Sequence, residues 1–154
     1  DFAAQGVCMA GNAFASVLLV KGQEDFGEEE LSALKASLEH LGYAPEAWAT
    51  LLTTTKTGDP INPELVRQAI SAFSPDTVLM VNDAAVASVR EAYAEELDQL
   101  KTDAEKIFSP RVLVRVCGMR MVNLDNFASA LDDPHQKQMR WAAIKQVPPL
   151  GEPY

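Results

Sequence analysis

The amino-acid sequence predicts an α/β protein in three layers, α/β/α, with a mostly parallel sheet of about four or five strands. Two patterns carry that expectation. Short continuous apolar runs, FASVLLV at 14–20 and TVLMV at 77–81, suit strands covered on both faces. Each is followed by a helix signature, so strand and helix alternate, and successive units of this kind demand right-handed crossovers between parallel strands.

The elements follow in order. After the first strand, Asp25 with Glu28 three residues later reads as a capping box, and Leu31, Leu34, Leu38 and Leu41 recur at helical spacing until Gly42 ends the helix. Residues 47–55, AWATLLTTT, are β-branched enough for a second strand. Asn62-Pro63 is an N-cap followed by proline at the first helical position, and it opens PELVRQAISAF. Asn82-Asp83 caps a long helix through AAVASVREAYAEELDQL. RVLVRVC at 111–117 alternates basic and apolar residues, Gly118 turns, and MRMVNL at 119–124 returns as a hairpin or bent edge. Asp133-Pro134 starts a last helix that should turn Trp141, Ile144 and Met139 or Val147 toward the sheet and leave Gln136, Lys137, Gln138 and Arg140 wet. Residues 1–13 are expected to be a loose lead-in, 14–147 a single domain, and 148–154 (PPLGEPY) an extended surface tail.

Composition restricts function. With 22 acids against 13 bases the formal charge is −9, which disfavours nucleic acid as a partner. Residues 3–20 are uncharged but lack a basic n-region and are interrupted by Gly6, Gly11 and Asn12, so neither a signal peptide nor a membrane span of about 20 residues is expected. Cys8 and Cys117 form no CxxC, and His40 and His135 are near neither. No metal site is therefore expected, and reduced cysteines fit a cytoplasmic protein.

The order of elements and their junctions resembles the uracil-DNA glycosylase superfamily, in particular its bacterial single-domain branch that often carries an iron–sulfur cluster. The resemblance spans roughly residues 16–147. It rests on Gly42-Tyr43, on LLTTTKTGDPINPELV at 51–66, on SPDTVLMVNDAA at 74–85, and on Asp133-Pro134 followed by Lys137, Trp141 and Lys145. It implies a base-reading pocket at the C-terminal ends of the strands, where Gly22, Gln23, Thr53, Asn82, Asp83, Asp125 and Asn126 become candidate binding residues.

The departures from the family fall on its chemistry. Gly22-Gln23 stands where the family has Gly-Glu, leaving Glu24 or Asp25 as displaced candidates for water activation. The family's uracil-reading asparagine aligns with Thr53, whose hydroxyl cannot donate and accept bidentately as an amide does. Asp125 stands near the family's His-Pro-Ser and carries the wrong sign to stabilise an expelled anion. His135 is expected to be an exposed helix residue. With two cysteines the chain is expected to hold no iron–sulfur cluster. The leading expectation is a catalytically degenerate, non-enzymatic binding or interaction domain whose partner is an unknown protein or small ligand. The alternatives are an active glycosylase with relocated residues and a small-ligand-binding α/β domain.

Overall fold

A computed structural model describes residues 2–55 and 57–150. Its sheet runs in the order β1-β3-β2-β4-β6-β5, with β1 Met9–Gly11, β2 Val17–Lys21, β3 Trp48–Leu52, β4 Thr77–Met80, β5 Leu113–Val116 and β6 Met119–Asn123. The inner strands β3, β2, β4 and β6 are parallel, while β1 and β5 close the two edges antiparallel. Every residue of β2 and β4 is buried, as continuous apolar runs require.

Alternation along the strands divides the core between two faces. Leu18, Val20, Val78, Met80 and Met121 point to one face and meet α2, Pro63–Phe73, and α3, Asp83–Ala92. Val17, Leu19, Leu79, Val81 and Val122 point to the other and meet α1, Glu28–Leu41, and a C-terminal helix at Pro134–Ile144. The three-layer α/β/α arrangement is thus present, with helices on both faces. Asn62, Asn82 and Asp133 cap their helices through side-chain oxygens, as their sequence positions predict, and Gly42 ends α1 at φ 115°.

Several expectations need correction. The sheet has six strands rather than four or five, because the lead-in expected to be loose contributes β1. All three residues of β1 are exposed, so no burial pattern could reveal it. Gly11 makes the pairing possible: at φ 101°, a Cβ there would stand 2.8 Å from Ala49 Cα. Phe14 belongs to no strand and is 93% exposed. The first helix starts at Glu28 behind Gly27, whose N–H donates to Glu30 Oε1 at 3.1 Å, while Asp25 merely accepts from Phe26 N–H at 2.8 Å. The long helix after Asn82 breaks at Tyr93 (φ −118°, ψ 27°), and a short α4, Ala94–Asp98, and α5, Asp103–Lys106, follow. The C-terminal helix is accordingly α6.

Near Val147 the chain is tied down by hydrogen bonds, and Pro148 and Leu150 beyond it are exposed. Val147 is buried, its carbonyl accepts from Tyr43 OH at 2.7 Å, and Pro148 O accepts from Arg120 at 2.9 Å. Arg120 is itself buried and also donates to Thr77 Oγ1 at 2.8 Å. The rest of the expected tail, 151–154, lies outside the described residues. Among the described residues, no helix is long and apolar enough to cross a membrane.

Candidate functional site

The chain passes from β2 through α1 to β3 on one side of the sheet, then crosses back through α2 to β4 on the other side of β2. The connections leaving β2 and β4 therefore diverge to opposite faces, and a crevice opens between their carboxyl ends, the place where open α/β sheets bind ligands. Here it is a cleft of about 330 Å³ lined by the segment after β2 (Gln23, Glu24), the start of α3 (Asn82, Asp83) and the turn after β6 (Asn126, Ser129). Five of the nominated residues, Gln23, Glu24, Asn82, Asp83 and Asn126, are brought together there.

Their polar groups are bonded mostly to the protein itself. Gly22 N–H donates to Asn82 Oδ1 at 3.1 Å, and Asn82 Nδ2 donates back to Gly22 O at 2.8 Å. The same Oδ1 accepts from Ala85 N–H at 3.0 Å, so one amide caps α3 and clamps the end of β2. Asn126 Oδ1 accepts from Asp83 N–H at 2.9 Å, and Asn126 Nδ2 donates to Asp83 Oδ2 at 3.0 Å. Gln23 is held at φ 71° by its N–H bond to Thr54 Oγ1 at 3.0 Å.

Four nominated residues do not line the cleft. Thr53 is 0% exposed and sealed behind Gly22: a Cβ on Gly22 would meet Thr53 Oγ1 at 2.6 Å and Ala84 Cβ at 2.8 Å, so only glycine fits between them. Gly22 takes part through its backbone alone. Asp25 is exposed and occupied with its neighbour's N–H. Asp125 turns away, accepting from Arg111 at 3.1 Å and lying 3.6 Å from Arg140, whose guanidinium also donates to Asp125 O at 2.5 Å. Arg140, expected to be wet, is only 6% exposed for this reason. Trp141, expected to be core, is half-buried and meets His40 edge-on with ring centroids 5.4 Å apart.

Beneath the cleft lies an ion pair that the sequence reading missed. Lys21 (4% exposed) and Glu30 (3%) meet at 2.5 Å, while Glu24 stands 3.9 Å from the same ammonium. Glu30 Oε1 takes both Lys21 and the Gly27 N–H; Oε2 is buried without a partner. The signal was legible: Lys21 ends an otherwise apolar strand, and Glu30 shares the buried helical stripe of Leu34 and Leu38.

Comparison with protein-family models and with curated proteins finds no match.

The cleft's chemistry therefore has to be read from its own charges. One base, Lys21, stands against three acids, Glu24, Glu30 and Asp83. An oxyanion or phosphate would meet net repulsion there, whereas stabilising a developing anion needs donors or cations aimed at it. Among the described residues, no three His, Cys, Asp or Glu side chains converge as a metal site.

Proposed function

We propose that the chain is a non-catalytic member of the uracil-DNA glycosylase superfamily, a cytoplasmic binding or interaction domain that keeps the frame of the enzyme without its chemistry. One observation carries this reading. Asn82, an amide at the mouth of the crevice, spends both ends of its side chain on Gly22 and Ala85. A polar group that reads a ligand must have unspent donors or acceptors facing it, and two of the three side-chain amides of this crevice, Asn82 and Asn126, are bonded within the protein, Gln23 being the third. The acid excess of the cleft argues in the same direction against a nucleic-acid substrate.

A second reading, a small ligand held in the crevice, draws on Glu30 Oε2, a buried acceptor that a ligand's N–H or O–H donor would satisfy. It stands behind the first because Oε2 is closed off from water below the cleft.

The test is incubation of the purified chain with uracil-containing oligonucleotides, single- and double-stranded. No abasic product should form. Turnover that disappears in Glu24→Gln, the candidate for water activation that lines the cleft, would establish instead an active glycosylase with relocated residues.

A further inference from the structure

We draw no further inference here: the strongest candidate, the apolar groove of about 530 Å³ between α1 and α6 walled by Ala36, Leu131 and Trp141, carries none, because the Arg140 guanidinium beside it is already held by Asp125 and nothing in the structure shows what covers the groove.

Discussion

Lys21 and Glu30 show what single residues do in this molecule. Removing one partner of a buried pair leaves an uncompensated charge, whereas replacing both with apolar groups of similar volume is often neutral or better. Glu30→Ala should therefore destabilise by about 3–5 kcal/mol, and Lys21→Met combined with Glu30→Leu should recover most of that loss in chemical denaturation. A double variant as unstable as the single one would mean that the pair carries more than its own charge balance. Glu96 makes a pH-dependent contribution at the opposite face. Its bond from the Arg67 guanidinium holds its carboxyl down at about 2, below the ordinary 4.5. A depressed carboxylate stabilises the fold above its unfolded value and loses that contribution as pH falls through the folded one, so the loss lies between about pH 4.5 and about 2. Glu96→Gln should flatten the stability profile across that window, as urea midpoints at successive pH values would record. The candidate site was legible residue by residue only in part. Asn82 and Asp83 announce themselves as a helix start at a strand end, but nothing in the sequence says that Asn82 faces Gly22, because that contact joins residues sixty positions apart. Asp125 was misplaced for the same reason: its partners Arg111 and Arg140 come from different elements.

At the scale of elements, the buried parallel strands and the capped helices were readable because each depends on local signals, continuous apolar runs or an N-cap beside proline. The edge strand β1 depends instead on a long-range pairing with β3, Met9 opposite Leu51, and carries no burial pattern of its own. The break at Tyr93 also has a tertiary origin: Tyr93 and Leu97 are both buried, and Arg67 stacks 4.7 Å from the Tyr93 ring. On α6 the helical spacing was right for Ile144 and Val147 and wrong for Arg140, which Asp125 and Gln136 draw inward. Trp141, left half-buried at the groove, should consequently cost about 1–2 kcal/mol when changed to Ala, less than the 3–5 kcal/mol typical of a core aromatic. Asp125→Ala should cost a comparable amount, about 1–2 kcal/mol, because it leaves the buried Arg140 without its carboxylate. Denaturation curves of the two variants check both figures, and a tolerated Asp125→Ala would show that the Asp125 carbonyl alone suffices for Arg140.

For the whole molecule, the central question is whether the crevice at the carboxyl end of the sheet is kept for binding or for holding the fold together. The doubly wound order places a crevice there irrespective of sequence, and the charge of −9 gives little drive toward a polyanion. Asn82 belongs to the fold, because it joins the end of β2 to the start of α3. Residues kept for a ligand are commonly neutral or costly to stability, and their removal leaves the fold intact or firmer. The most direct measurement is therefore the unfolding free energy of Asn82→Ala against the parent chain. Loss of a helix cap together with two bonds to the Gly22 backbone should lower it by about 2–4 kcal/mol, a large share of the roughly 5–15 kcal/mol a domain possesses. An Asn82→Ala variant as stable as the parent, or more stable, would contradict the account and return the crevice to the status of a binding site.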